Sequence, residues 1–291
     1  MITEDILSMW TGPSSDTEKE KQERAERMIR QAIDSHELFN NCPLRVYAKG
    51  SYANNTNVRS DSDVDIAVEY TGALYWDESE KGLYNPVKLY EGIWTPERLR
   101  EELLIAMESK FSGQVDSSGS TALKIKSNSC RVDADVVPCF SYRYYMKNGM
   151  RDGTKIFKSD GSSIVNYPAQ QMEKGTEKNN RTNYAYKKGA RLLKRIENAM
   201  AEDGVFRELP SFFMECLAYN CPDTTFYHST WTECIRAMLI HIWFNLQGDE
   251  PSSERWLEVN ECFFLFHSKQ KWTREDGREF AKAAWSYLEF K

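Results

Sequence analysis

The sequence predicts an α+β protein of two lobes, a mixed sheet with flanking helices followed by a helical half. Three observations predict it. Ser15 to Asn40 repeats apolar residues at helical spacing. Several short runs between Leu44 and Val137 alternate apolar and polar residues at strand period. From about Asn179 to the end, one helical pattern follows another. The division is expected as a first lobe over 1–165 and a second over 166–291.

The first helix opens on a capping-box pair, Ser15 and Glu18, and carries Ala25, Met28, Ile29, Ala32 and Ile33 as one stripe. It reads as a long spine along both lobes, with His36 a surface residue near its end. LRVYAK, Leu44–Lys49, is a strand that ends at Gly50-Ser51, where a polar loop, YANNTNVRSDS, begins. Val64, Ile66 and Val68 then alternate with Asp63, Asp65, Ala67 and Glu69, the pattern of a half-buried strand. TGALYWDESEKGLYNP reads as an insertion loop. Thr95 as N-cap and Pro96 at the first helical position start a helix that turns Leu99, Leu103, Leu104 and Met107 inward. Thr121–Lys126 and Cys130–Val137 are further strands, and Asn148-Gly149 and Asp160-Gly161 are turns. The second lobe is expected as helices over Tyr184–Ala201, Ser211–Tyr219, Thr232–Leu246, Ser253–Phe266 and Arg274–Phe290.

Composition narrows the function. With 41% hydrophobic and 13% aromatic residues, 291 residues can fill two cores. A net charge of −6 makes a poor non-specific binder of polyanions. No run approaches the ~18 apolar residues of a membrane span, and MITEDILSMWTGPSSD lacks the basic start of a signal peptide. The seven cysteines form no CxxC and the four histidines show no zinc-ligand spacing. A reducing, cytoplasmic setting is expected.

The acidic strand carries the chemistry. Residues i and i+2 of a strand share a face, so Asp63 and Asp65 lie opposite the apolar Val64, Ile66 and Val68. Empty, such a pair repels itself; a divalent cation removes that cost. CRVDADVVPCF offers a third carboxylate, Asp135, with Asp133 on the same side as the alternative. Three carboxylates from two strands can hold two Mg²⁺ or Mn²⁺ about 4 Å apart, the clamp of phosphoryl chemistry. Gly50 lets backbone approach a phosphate and Ser51 adds donors. Together these features make a nucleoside triphosphate site.

Gly50-Ser51, Asp63-x-Asp65 and Asp135, within GSYANNTNVRSDSDVDI and DVVPCF, resemble the signature of DNA-polymerase-β-type nucleotidyltransferases. With NYAYKKGARLLKR and LPSFFMECL, the chain resembles the CD-NTase family, bacterial enzymes similar to cyclic GMP-AMP synthase and oligoadenylate synthase, as far as about Leu217. The resemblance implies Asp63, Asp65 and Asp135 as metal-binding catalytic acids and Gly50 and Ser51 as triphosphate contacts. It also implies that Lys194 reaches the β- and γ-phosphates, Ser211 touches phosphate and Phe212 stacks on the base. The family's animal relatives hold a zinc element for DNA; no His-Cys-Cys-Cys cluster exists here, so zinc-dependent DNA binding is not expected.

The residues themselves leave some roles open. Lys187, Arg191, Lys194 and Arg195 share one helix face, which either faces an anion or is solvated and ion-paired. Phe212 either stacks on a base, worth ~1–3 kcal/mol in nucleic-acid binders, or joins the core with Phe213. Asn166, in IVNYP, is a candidate near the acceptor base. The resemblance implies synthesis of a cyclic di- or trinucleotide from ATP and other nucleoside triphosphates. It implies release of pyrophosphate, a downstream effector in anti-phage (CBASS) signalling, and an activating partner protein or RNA in some relatives. The rival readings are nucleotidyl transfer to RNA or a small molecule, and an inactive nucleotide-binding or toxin–antitoxin module.

Overall fold

Two hydrophobic periods in one chain build two separate cores. In the computed structural model, which describes residues 2–13, 15–58, 63–86 and 89–291, the chain divides into two compact units. One comprises Ser15–Ala53 and Arg59–Pro168; the other comprises Met1–Ser14, Asn54–Val58 and Ala169–Lys291. The main boundary therefore follows Pro168, not residue 165. Two N-terminal pieces belong with the helices, which a single cut in the sequence could not show.

The first element, α1 (Glu4–Trp10), is N-capped by Thr3 and buries Leu7 in the helical unit. Sequence periodicity misses so short a helix. The long helix α2 (Asp16–Asp34) forms the expected capping box between Ser15 and Glu18. It lies in the sheet unit alone, where Ala25, Ile29, Ala32 and Ile33 pack with Val64, Ile66, Leu99 and Leu103. It stops at Asp34, short of Asn40, and Glu37–Phe39 forms a single 3₁₀ turn. His36 is held there by Glu102, with Nε2 2.7 Å from Oε2, rather than lying free at the surface.

The sheet holds β1 (Leu44–Lys49), β2 (Val64–Glu78), β3 (Val115–Asp116), β4 (Leu123–Ile125) and β5 (Ala134–Met146) in the order β1-β2-β5-β4-β3. β6 (Gly149–Phe157) continues from β5 and pairs with β7 (Ser163–Asn166). Among the described residues, only β2 and β5 run parallel to each other; the other pairs are antiparallel. α3 (Gly50–Ala53) is a short turn of helix where a polar loop was expected, and α4 (Pro96–Lys110) is capped by Thr95 as predicted. The expected insertion loop is overturned over Thr71–Glu78. β2 runs on through it, with a register shift between Tyr70 and Leu74. That irregularity breaks the alternation and hides the strand. Pro138 sits in β5 between the stretch paired with β4, which ends at Val136, and the stretch paired with β6, which begins at Phe140. A residue with no amide proton costs little in that gap.

The helical unit contains α5 (Pro168–Arg181), α6 (Ala185–Glu202), α7 (Ser211–Asn220), α8 (Trp231–Asn245) and α9 (Arg274–Tyr287). Leu192, Leu193, Ile196, Phe213, Leu217, Ile235, Leu239 and Phe280 fill its core. The expected helix over Ser253–Phe266 does not form. Glu254 and Glu261 take positive φ of 56° and 53°, and Leu257 bridges Phe264 instead. Val259 and Leu265 there still point inward and are fully buried, while Phe264 is exposed. Helical spacing was matched without a helical backbone. Among the described residues, no helix is long and apolar enough to cross a membrane.

Candidate active site

The sheet unit builds an acidic row across its strands. Lys49 on β1 is opposite Asp65 on β2, Asp65 is opposite Asp135 on β5, and Asp135 is opposite Lys124 on β4. Adjacent strands lie about 4.8 Å apart, so two aspartates stand side by side with a lysine on each flank. Val64, Ile66 and Val136 on the alternate positions are fully buried, which fixes the acids on the other face. Asp63 and Asp133 lie one step further toward the strand starts. The amide of Val64 donates to the Asp133 carbonyl at 3.0 Å and holds them adjacent.

Electrostatics distinguish the acids. Burial, then the neighbouring Asp65 and Asp63, push Asp135 up to about 6. Burial also raises Asp65, with Asp63 adding to it and Lys49 opposing. Asp133 goes the other way: burial raises it, but the Ser127 amide and Lys124 together hold it below the usual range. Asp135 thus behaves as a carboxylate in want of a cation, and Asp133 as one already partnered. Lys124 Nζ lies 3.1 Å from Asp63 Oδ2 and 3.1 Å from Asp133 Oδ2, and Lys49 Nζ lies 3.7 Å from Asp65 Oδ1. Among the described residues, no three Asp, Glu, His or Cys side chains are grouped to hold a metal as they stand. The donor chemistry nonetheless suits hard divalent cations: carboxylates from neighbouring strands, two of them carrying uncompensated repulsion.

Gly50 is fitted to this row. Its φ of +69° is the left-handed region, and a methyl group on it would overlap Asp65 Oδ2. No other residue puts backbone so near that carboxylate without strain. Ser51 follows on α3, half-buried. Ser62, part of the quoted signature, lies outside the described residues. Asn166 ends β7, half-buried, opposite Thr154.

In the helical unit, α6 presents Lys187, Arg191, Lys194 and Arg195 on one side, but this face meets protein. Arg191 donates to the carbonyls of Thr11 at 2.7 Å and Asn55 at 2.5 Å. Arg195 donates to Gly12 at 3.2 Å. Lys194, 2% exposed, donates to Glu215 at 2.9 Å and to the carbonyl and hydroxyl of Thr56 at 3.0 and 3.1 Å. Thr56 in turn donates to Glu215 at 2.6 Å. Burial pushes the Glu215 carboxyl up, and Lys194 and Thr56 outweigh it and hold it below the usual range. All three ammonium protons of Lys194 therefore have protein acceptors, so reaching a triphosphate would mean giving up at least one of them. Among the described residues, Lys187 is the member of this face whose amine has no hydrogen-bond acceptor; burial lowers its pKa. Ser211 is exposed at the start of α7, one turn before Glu215. Phe212 is half-buried with its ring edge-on to Trp272 at 6.2 Å, while Phe213 is fully buried and stacked on the same indole at 5.2 Å.

Sequence reasoning missed Lys49, Lys124 and Glu215. Glu215 carried a signal, a lone charge within the apolar FFMECLAY. Lys124 carried none, since a lysine alternating with Leu123 and Ile125 reads as a solvated strand face.

Fold and acid face together define a nucleotidyltransferase of the DNA-polymerase-β type. Comparisons with known proteins narrow this. Residues 173–289 match the cGAS/DncV-like nucleotidyltransferase C-terminal helical domain. The chain is 36% identical over 292 residues to the cyclic dipyrimidine nucleotide synthase CdnE of Cecembia lonarensis, covering 99% of each. It is equally 36% identical over 293 residues to the cyclic dipyrimidine nucleotide synthase CdnE of Legionella pneumophila, covering 98% of each. The structure of Elizabethkingia meningoseptica CdnE cyclic dinucleotide synthase with GTP and Apcpp matches with a TM-score of 0.84 at 29% identity, over the full length of both chains. The chain belongs to the CD-NTase family, alongside its CdnE cyclic nucleotide synthases.

Proposed function

We propose that this protein joins two nucleoside triphosphates into a cyclic dinucleotide, releasing pyrophosphate at each condensation, with a pyrimidine in at least one position. The observation that carries the reading is end-to-end identity of 36% with two synthases named for cyclic dipyrimidine products. A relative named as a cyclic dipurine nucleotide synthase reaches 32%. The acidic row supplies the chemistry. Asp63, Asp65 and Asp135 would hold two Mg²⁺ or Mn²⁺, which when bound neutralise phosphate charge and acidify a ribose hydroxyl. Asp135 would also be the group that accepts that hydroxyl's proton. The Gly50 backbone and the Ser51 amide and hydroxyl would donate to phosphate oxygens, and Gly50 keeps the approach open. Ser211 and Phe212 would contact phosphate and base from the helical unit. Lys194 would reach the β- and γ-phosphates by exchanging one of its Glu215 and Thr56 partners for them. The product would act in the cytoplasm as a second messenger on a separate effector in anti-phage defence, with a protein or RNA partner as a means of activation.

The test is incubation with ATP, GTP, CTP and UTP together and singly, with Mg²⁺ or Mn²⁺ and no added acceptor, followed by mass spectrometry. A cyclic dinucleotide containing C or U is expected. A product formed only on added RNA or a small acceptor would replace this reading with simple nucleotidyl transfer.

A further inference from the structure

We propose that Lys124 is a resident cation of the acidic face: its ammonium competes with the incoming metal for Asp63 and is kept on Asp133 when the metal enters. The inference rests on the proposed metal site and adds to it a positioning pair that does not ligate. Three observations support it.

The backbone places Lys124 beside the acids, since β4 sets it directly opposite Asp135. The side chain does not point at that partner. It reaches past Asp135 to the adjacent Asp63 and Asp133 and lies 3.1 Å from each. An ammonium between two carboxylates occupies the kind of position a divalent ion takes, with half the charge and at hydrogen-bond rather than coordination distance. Finally, Asp133 is anchored independently. It precedes β5, and its second oxygen accepts from the Ser127 amide. Of the two acids holding Lys124, Asp133 thus has a second, backbone partner, whereas Asp63, among the described residues, has Lys124 alone. Asp63, drawn toward Asp133 by the shared lysine, is not grouped with Asp65 and Asp135, in keeping with the lack of a three-residue metal cluster among the described residues. On this account the face carries its own counter-charges until metal and nucleotide arrive. Lys124 and Asp133 then set how tightly the first cation binds without touching the substrate.

The experiment is Mn²⁺ binding to the nucleotide-free full-length protein, read from the electron paramagnetic resonance signal of free Mn²⁺. The wild type is compared with Lys124→Met, Lys124→Gln, Asp133→Asn, Lys124→Met/Asp133→Asn and Asp63→Asn. Removing the competing ammonium should tighten Mn²⁺ about three- to tenfold in both Lys124 variants, the scale of one or two partly exposed ion pairs. Asp133→Asn should weaken it, because Lys124 is then left to Asp63 alone. The double variant should bind as tightly as Lys124→Met. Unchanged or weaker binding in the Lys124 variants overturns the proposal. A double variant as weak as Asp133→Asn also overturns it, and would make Asp133 a metal ligand. Asp63→Asn separates the two layers. If it abolishes Mn²⁺ binding while Lys124→Met changes nothing, only the role of Lys124 falls; if it leaves binding intact, the metal site falls with it.

Discussion

Replacing Lys194 by methionine tests whether this lysine serves the protein or the substrate. Its ammonium and the Glu215 carboxylate are 2% and 3% exposed and 2.9 Å apart. Methionine keeps most of the volume and removes the charge, leaving Glu215 with the Thr56 hydroxyl at 2.6 Å and the Gln171 amide at 3.5 Å. A buried carboxylate stripped of its cation costs about 3–5 kcal/mol. At about 2–4 °C per kcal/mol for a domain of this size, the melting temperature should fall on the order of 6–20 °C. Removing both charges, with Lys194→Met and Glu215→Leu together, should recover most of that loss, because neither charge is then left buried alone. Calorimetry and urea titration followed by tryptophan fluorescence give both numbers. A single variant within about 1 kcal/mol of wild type, or a double variant no better than the single, refutes the reasoning. A stable Lys194→Met protein with a raised nucleotide KM would return Lys194 to the triphosphate.

Asp65→Asn should lower cyclic product formation at least about a thousandfold, as for a group acting in a catalytic unit, with the melting temperature held or raised since a repelling charge is gone; a product assay beside a thermal melt checks both. Gly50→Ala should cost about 1–2 kcal/mol for the left-handed backbone and should also displace Asp65, so activity should fall further than stability. Asp135 gives a pH signature. Its carboxyl is raised to about 6 from 3.8, so the folded state holds its proton longer than the unfolded chain does. Its contribution to metal-free stability therefore declines as pH rises from about 4 through 6, while Mn²⁺ affinity rises over the upper part of that window as the proton leaves. Melts with and without Mn²⁺ between pH 4.5 and 7.5, on the order of the window that linkage predicts, should diverge as pH increases; parallel curves would contradict this assignment.

How much was legible depended on the range of the interaction. Alternation placed Asp63 and Asp65 on one face because the period of a strand is local. Capping placed the starts of α2 and α4 for the same reason. The far end of β2 was less legible: the irregularity at Tyr70 to Leu74 erased the alternation for several residues, and a strand was read as a loop. Ser253–Phe266 failed in the opposite sense, since inward-facing residues met at helical spacing on an irregular backbone. The lysines of α6 show a further limit. Their shared face was readable, yet what that face meets, the carbonyls of Thr11, Gly12, Asn55 and Thr56, lies more than a hundred residues away in sequence and leaves no local trace. The pairing of Lys124 with Asp63 is of the same kind, fixed by strand order.

The order in which the chain is made gives the shared ownership of the helical unit a consequence. Residues 1–14 leave the ribosome well before residues 169–291, yet Leu7 belongs in a core built mostly from the latter. Leu7 must therefore wait, unburied, until those later helices have been made. Thr56 waits likewise for Lys194 and Glu215. No single cut in the polypeptide yields both halves whole: a piece beginning at residue 169 lacks Leu7 from its interior and leaves Glu215 without the hydroxyl that helps hold its charge.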